Sequence, residues 1–492
     1  MDIVIITSER RSGFIFEQPA TLSDLIAAAG VTFNTPCSGG RCGKCAVYAS
    51  GELSEPSSSE LAVLGDKYYA GMRLACACKA LGDCTVTIPA RAETEGIVVS
   101  IAKTAVDLKF NDLALAVDIG TTTLCLRLCD AVSGEALAQA TLVNPQVGFG
   151  ADVITRIDRA MHGCSAALSD AVSRAVSAAV ESMCHMLGVT CECISSAVFT
   201  GNTAMLYLLC GFDPTALSRA PFQADRLFDC EIDGSSFGLR VPVYLPPCVS
   251  AFVGADAVCA ALAVGIDRSE QSVVMTDIGT NGETFISCDG RLVCASAAAG
   301  PCFEGVGLSC GMLAADGAIN HVFYNNGTVT FKTVGDKPAI GLCGSGVIDS
   351  FAVMLKSGVL DETGALEGYS WRIADTDVLV TQSDVRAVQL AKSAIRSCIE
   401  TLSEYCGVPR RALLAGGFGS AIDMASACDI GLLPEYFRSA QAVGNAALDG
   451  AVMLMIDSYA LKRARWIAQT AEPVDLMNNK TFGDRFIENM MF

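Results

Sequence analysis

Two short apolar runs, "DIVIIT" (2–7) and "GFIFEQ" (13–18), open the chain with charges between them and predict two strands joined by a charged turn. "TLSDLIAAAG" then predicts a helix, with Thr21 as N-cap, Asp24 at N3 and Gly30 just past its end. "CAVYASGEL" and "CTVTIP" read as further strands. A longer pattern follows and recurs. "LALAVDIGTTTLCLRL" and "SVVMTDIGTNGETFIS" are each an apolar strand, then Asp-Ile-Gly-Thr, then a polar turn and a second strand. Their aspartates, Asp118 and Asp277, lie 159 positions apart.

The repeat extends beyond the turns. Val172, Val176, Val180, Met183 and Leu187 follow the first at helical spacing. Val385, Val388, Ile395, Ile399 and Leu402 follow the second, behind a Thr381…Asp384 capping box. The strands "AVFTGN" and "ALLAGGFG" come next, and "FVGADAVCAALAVG" then matches "VGNAALDGAVMLM". Hairpin, long helix, strand and helix occur twice, with an insertion near 300–380 in the second copy. Two lobes with one Asp-Gly-Thr turn each predict a nucleotide cleft. Glycine lets the backbone approach phosphates, and Thr hydroxyls and turn N–H groups donate to them. A carboxylate beside each turn suits Mg²⁺ held through water. Gly416 and Gly417 offer a flat surface for adenosine. A pair of ordinary hairpin turns predicts neither the repeat nor its order, and the chain has no Walker sequence.

"PCSGGRCGKC" carries Cys37-x4-Cys42-x2-Cys45, and "RLACACK" brings Cys76 thirty-one positions after Cys45. That is the plant-type [2Fe–2S] spacing. The intervening serine and glycines leave backbone N–H groups free to face sulfide. Structural zinc usually uses two separated C-x2-C pairs, which this is not. Cys76 and Cys78 lie two apart on a predicted strand and so face the same way, and periodicity does not choose between them.

Composition narrows the setting. The chain has 492 residues, 51% hydrophobic and 18% charged, which predicts several domains. It has no uninterrupted apolar run of about eighteen residues. "AVCAALAVGI" is short, flanked by Asp256 and Asp267, and predicts a buried helix. "MDIVIITSERR" reverses the charge order of a signal peptide, so a cytoplasmic protein, neither membrane-borne nor exported, is expected. A net charge of −19 argues against a nucleic-acid partner. Among 24 cysteines, scattered ones such as Cys125, Cys210, Cys259 and Cys398 are expected to be core residues rather than a disulfide framework. Three histidines make a histidine metal site or triad improbable.

The cysteine segment resembles plant-type ferredoxin domains, in which the fourth ligand follows an Arg-Leu-x stretch. This implies Cys37, Cys42, Cys45 and Cys76 as ligands and leaves Cys78 and Cys84 as extra thiols. Residues 113 to about 460 resemble the superfamily of actin, sugar kinases, acetate kinases and heat-shock ATPases. By that resemblance Asp118, Gly120, Thr121 and Thr122 form the first phosphate motif. Asp277, Gly279, Thr280 and Asn281 form the second, Gly416 and Gly417 the adenosine motif, and Asp118 and Asp277 are the catalytic carboxylates.

The whole order is similar to the reductive activators of corrinoid proteins, as are "FTGNTAMLYLLCG", "AFVGADA", "GPCFEGVGLSCGM" and "GLCGSGVID". The fold implied is multidomain α/β. A β-grasp ferredoxin domain (1–93) and a linker (94–112) precede two RNase H-like lobes (113–268 and 269–492), the second ending in a C-terminal tail. The activity implied is ATP-driven passage of one electron from a [2Fe–2S] cluster to the Co(II) corrinoid of a partner methyltransferase or corrinoid protein. An upstream low-potential reductant is implied, with Mg²⁺ beside ATP and room for a homodimer. A plant-type cluster lies near about −400 mV, and each ~59 mV of uphill transfer costs about 1.4 kcal/mol. A gap of a few hundred millivolts therefore calls for a nucleotide-driven step. The alternatives are a ferredoxin-fused kinase with Asp152 as base, a donor to another low-potential enzyme, and a redox sensor without hydrolysis.

Overall fold

In a computed structural model, the structure describes residues 1–7, 11–16, 18–29, 31, 33, 40, 43, 45–89, 98–101, 112–150, 152–417 and 421–492. Alternation in β1 (Asp2–Ile6) turns Ile3 and Ile5 inward. It pairs antiparallel with β2 (Arg11–Ile15) and parallel with β6 (Lys79–Thr87). β3 (Ala20–Thr21), β4 (Ala46–Leu53) and β5 (Met72–Leu74) complete a mixed sheet ordered β2-β1-β6-β4-β5, with β3 on β6. The helix Leu22–Ala28 covers its core through Leu22, Leu25 and Ile26. Thr21 Oγ1 accepts from Asp24 N at 3.2 Å, so the predicted cap forms.

Within the stretch read as linker, β7 (Val98–Ile101) is an edge strand of the first lobe. There β8 (Leu113–Ile119), β9 (Thr123–Asp130) and β10 (Ala136–Val143) form an antiparallel meander. β11 (Ile194–Gly201) joins β8 in parallel, and β12 (Cys230–Ile232) and β13 (Val243–Leu245) extend that edge. The second lobe repeats this plan. β14 (Val273–Ile278), β15 (Asn281–Cys288) and β16 (Arg291–Ala298) form the meander. The insertion holds β17 (Ala318–Asn325), β18 (Thr328–Thr333) and β19 (Gly341–Leu342) in one sheet, and β20 (Ser370–Arg372) with β21 (Leu379–Thr381) in another. β22 (Arg411–Ala415) and β23 (Gln441–Gly444) continue the main sheet in parallel from β14, and β24 (Glu472–Pro473) closes it beyond β16. Each lobe has one long helix, Ser165–Leu187 and Gln382–Cys406, the latter opened by the predicted capping box.

The lobes exchange helices. Ala255–Val264, the predicted buried helix, ends the first lobe's sequence yet packs with Met275, Phe285 and Leu413 of the second sheet. Ala446–Ile456 follows the second sheet yet buries Leu448, Ala451 and Val452 against Ala114, Ala116 and Val198 of the first. The two cross at Gly450, where an added Cβ would lie 2.0 Å from Cys259 O. Only glycine permits that approach.

Two expectations about cysteine change. Cys288 and Cys406 form a disulfide between β15 and the end of the long helix, although Cys259 and Cys398 are the buried core residues expected. Cys76 and Cys78 lie not on a strand but in the turn and short connection between β5 and β6. Backbone bonds hold that turn: Ala75 N donates to Cys45 O at 2.9 Å, and Cys78 N to Leu74 O at 2.9 Å. The side chains therefore do not share a strand face.

Candidate functional site

The thiols of Cys45 and Cys76 meet, with Sγ–Sγ 3.3 Å. Cys78 points instead into the ferredoxin core, and burial pushes its thiol up to about 11. Cys84 is likewise buried and raised by burial. It is thus Cys76, and not Cys78, whose thiol meets that of Cys45. Cys37 and Cys42 lie outside the described residues. Gly40 and Gly43 have φ of +69° and +73°, the left-handed region that a tight wrap demands. The turn bearing Cys76 hangs from a buried ion pair. Arg73 donates through Nε and Nη2 to the two oxygens of Glu60 at 2.9 and 3.2 Å. Leu74 N donates to the same carboxylate at 2.8 Å. Two thiols converging beside such a wrap fit a thiolate-held cluster.

The two Asp-Gly-Thr turns face each other across the lobes. Thr122 Oγ1 and Thr280 Oγ1 are 3.1 Å apart, and both donate to Glu304 Oε2, at 2.7 and 2.6 Å. Thr121 Oγ1 accepts from Asn202 Nδ2 at 3.1 Å, and Asn144 Nδ2 donates to Gly120 O at 2.8 Å. Asp118, one residue before the end of β8, accepts from Asn445 Nδ2 at 3.0 Å. Asn445 in turn caps the exchanged helix Ala446–Ile456, accepting from Leu448 N, so that helix is tied to the first turn. Gly279 N donates to Asn281 O at 2.9 Å, forming the second turn. Gly416, at φ +116°, lies against that turn; its Cβ would stand 2.6 Å from Ile278 O and 3.1 Å from Asp277 Oδ1. Gly417 is exposed, with nothing within 4 Å of an added Cβ. Phe418 and Gly419 fall outside the described residues.

Asp256, Glu283 and Glu304 complete an acidic cluster that sequence reasoning missed. Burial raises Asp118 to about 6, opposed by the Asn445 hydrogen bond and aided by Glu304. Burial, then the Asp118 charge, raises Asp256 to about 7. Burial raises Asp277 to about 8, with Asp118, Asp256 and Glu304 adding to it. Glu283 is raised by burial and then by Asp256 and Asp277, although Ser296 donates to it at 3.0 Å. Glu304 is raised by burial, against the two threonines and Arg156. Each missed acid stands inside a block already visible, "AFVGADA", "TNGETF" or "GPCFEG"; the available signal was an acid within an apolar run. Among the described residues no three His, Cys, Asp or Glu side chains converge as a metal cage. Mg²⁺ usually keeps several waters and takes one or two carboxylates with substrate phosphates. Such carboxylates fit a hydrated ion that arrives with nucleotide.

Asp152 does not serve as a cleft base. It is exposed and caps the helix Val153–Arg159, accepting from Thr155 N at 2.8 Å and Thr155 Oγ1 at 3.1 Å. At the other end of that helix, Arg159 Nη2 pairs with Asp24 Oδ1 at 3.1 Å, joining the first lobe to the ferredoxin helix.

Comparison with known proteins agrees with this geometry. Residues 8–81 match the model of the 2Fe-2S iron-sulfur cluster binding domain, 113–269 the RACo middle region, and 271–492 the C-terminal, ASKHA domain of RACo. The corrinoid activation enzyme RamQ of Eubacterium limosum is 32% identical over 421 residues, 77% of this chain and 70% of that one. The chain belongs to the family of reductive activators of corrinoid proteins. A [Co(II) methylated amine-specific corrinoid protein] reductase of Methanosarcina barkeri is 29% identical over 52% of this activator and 53% of its own length. The solved reductive activator for corrinoid, iron-sulfur protein has the same fold, with TM-score 0.73 and 24% identity over 100% of this chain and 98% of that one. The ferredoxin and ASKHA domains carry a [2Fe–2S] cluster site and an ATP site. Among the described residues, no helix is long and apolar enough to cross a membrane.

Proposed function

We propose that this activator uses ATP to drive one electron onto the Co(II) corrinoid of a partner protein, restoring Co(I). One observation carries the reading. Thr122 and Thr280, from separate lobes, meet at 3.1 Å in the same chain whose ferredoxin domain brings Cys45 to 3.3 Å from Cys76. Cys37, Cys42, Cys45 and Cys76 hold the [2Fe–2S] cluster, which supplies single low-potential electrons when bound. Thr121, Thr122, Thr280 and Asn281, with the backbone at Gly120 and Gly279, hold the nucleotide's phosphates. Asp118 and Asp277 orient hydrated Mg²⁺, and Gly416 and Gly417 flank adenosine.

Phosphoryl chemistry asks the protein mainly for positioning and charge, and two facing turns supply both. The Arg159–Asp24 pair ties the Val153–Arg159 helix of the first lobe to the ferredoxin domain, which is the route by which lobe closure on nucleotide would reach the cluster. The domain limits read from the sequence, 1–93, 113–268 and 269–492, belong to the same proposal. So do a cytoplasmic setting, an upstream low-potential reductant and a homodimer.

The test mixes reduced full-length protein with a Co(II) corrinoid partner under ATP, no nucleotide, and a non-hydrolysable analogue. Co(I) absorbance is expected only with ATP, and Asp118→Ala should abolish it without changing the cluster's spectrum. Equal Co(I) in all three arms removes the role of hydrolysis and favours the sensor reading. Phosphate appearing on a metabolite would instead identify a kinase.

A further inference from the structure

Among the described residues, Glu304 is the one carboxylate bonded to the hydroxyls of both phosphate turns. It ends a single turn of tight helix, Pro301–Glu304, in the insertion of the second lobe. That turn is firmly held. Cys302 and Phe303 are buried beneath it. The flanking Gly300 and Gly305 take φ of +78° and +74°, and a Cβ on Gly305 would lie 2.0 Å from Met312 O. The two carboxylate oxygens differ. Oε2 accepts from Thr122 Oγ1 at 2.7 Å and Thr280 Oγ1 at 2.6 Å. Oε1 accepts no hydrogen bond among the described residues and lies 3.7 Å from where a Cβ on Gly279 would stand. The side chain is only part-buried, so water reaches it. The neighbouring acids are engaged elsewhere. Asp118 accepts from Asn445, Asp256 Oδ1 from Ala257 N at 2.8 Å, and Glu283 Oε1 from Ser296 Oγ at 3.0 Å.

We propose that Glu304 is the general base of ATP hydrolysis, taking a proton through Oε1 from the water that attacks the terminal phosphorus. This rests on the nucleotide-cleft reading above, in which Thr122 and Thr280 hold the phosphates. A carboxylate bonded to both hydroxyls stands one hydrogen bond from the groups they hold, which is the reach a general base needs. Water oxygen bonds to the terminal phosphorus, and the bond from that phosphorus to the bridging oxygen breaks. The bridging oxygen keeps the electron pair and leaves as ADP. Hydrogen phosphate is the other product, and the proton on Oε1 returns to solvent. Burial raises the Glu304 carboxyl above its ordinary range, which makes it a stronger base than a solvated glutamate.

Calorimetric titration of Mg·ATP into full-length protein tests this, alongside phosphate-release kinetics and thermal melting to confirm folding. Glu304→Gln keeps an oxygen for both hydroxyls but cannot take the proton. It should bind Mg·ATP at least as tightly as wild type while kcat for hydrolysis falls about 10²–10⁴-fold. Raising Mg²⁺ should not restore that rate. Glu304→Asp draws the carboxylate back by one methylene and should lose up to about 10²-fold, remaining faster than the Gln variant. It carries the test if the Gln variant does not fold, and a wild-type kcat in it would then refute the base. Wild-type protein that binds no nucleotide refutes the cleft reading itself. If wild type binds and hydrolyses ATP, three results show that Glu304 is not the base: Glu304→Gln keeps its kcat, regains it at high Mg²⁺, or loses hydrolysis only through weaker binding.

Discussion

Asp277→Asn should stabilise the nucleotide-free protein and abolish its response to nucleotide. In the folded chain the carboxyl is raised from 3.8 to about 8 by burial and by Asp118, Asp256 and Glu304. A carboxyl with a raised folded pKa binds more protons folded than unfolded, so stability falls as pH rises between those two values. Its contribution is least unfavourable near pH 4 and most unfavourable by pH 8. Each unit is about 1.4 kcal/mol, so at pH 7 the penalty reaches about 4 kcal/mol at most, with solvent contact and shared titration of the cluster reducing it. Asparagine has no such penalty. Melting of the second lobe should therefore rise by several degrees at pH 7.5, at roughly 2–4 °C per kcal/mol for a domain of this size. Near pH 5 the gain should shrink. Mg·ATP, which raises wild-type melting by mass action, should leave the variant unmoved. Scanning calorimetry of the full chain from pH 5 to 8.5, with and without Mg·ATP, measures both effects. A variant that melts lower at pH 7.5 without ligand, or gains equally at every pH, would refute the account of Asp277 as a charge held under strain for a cation.

Cys76→Ser should lower bound iron and disturb the EPR signal of the reduced protein, whereas Cys78→Ser should leave both nearly intact; the reverse ranking moves the ligand to Cys78. Glu60→Ala strands Arg73 in the ferredoxin core and should cost about 3–5 kcal/mol in that domain, read as earlier loss of visible cluster absorbance on heating; unchanged loss would show the ion pair does not hold the Cys76 turn. Gly450→Ala places a methyl 2.0 Å from Cys259 O and should lower lobe melting and ATP hydrolysis together while sparing the cluster's spectrum. Hydrolysis at the wild-type rate would mean the helix crossing tolerates separation.

Features governed by neighbours in sequence were legible from the chain alone. The cysteine spacing, the caps at Thr21 and Thr381, the two Asp-Ile-Gly-Thr turns and the long helices all arise from hydrogen bonds and periodicities spanning a few residues. Their duplication carried the two-lobed plan, because a repeated pattern folds to a repeated unit. Tertiary structure decided what depends on distant partners. Cys76 parts from Cys78 because a turn pinned by Cys45 O replaces the expected strand. Glu304 reaches Thr122 across 182 positions, and Asn445 reaches Asp118 across 327, separations at which no local pattern operates. The exchange of helices between lobes was likewise invisible, since Ala255–Val264 and Ala446–Ile456 are apolar enough to bury against either sheet. Close approach at Gly450, and the shapes of the two sheet faces, select which one each covers.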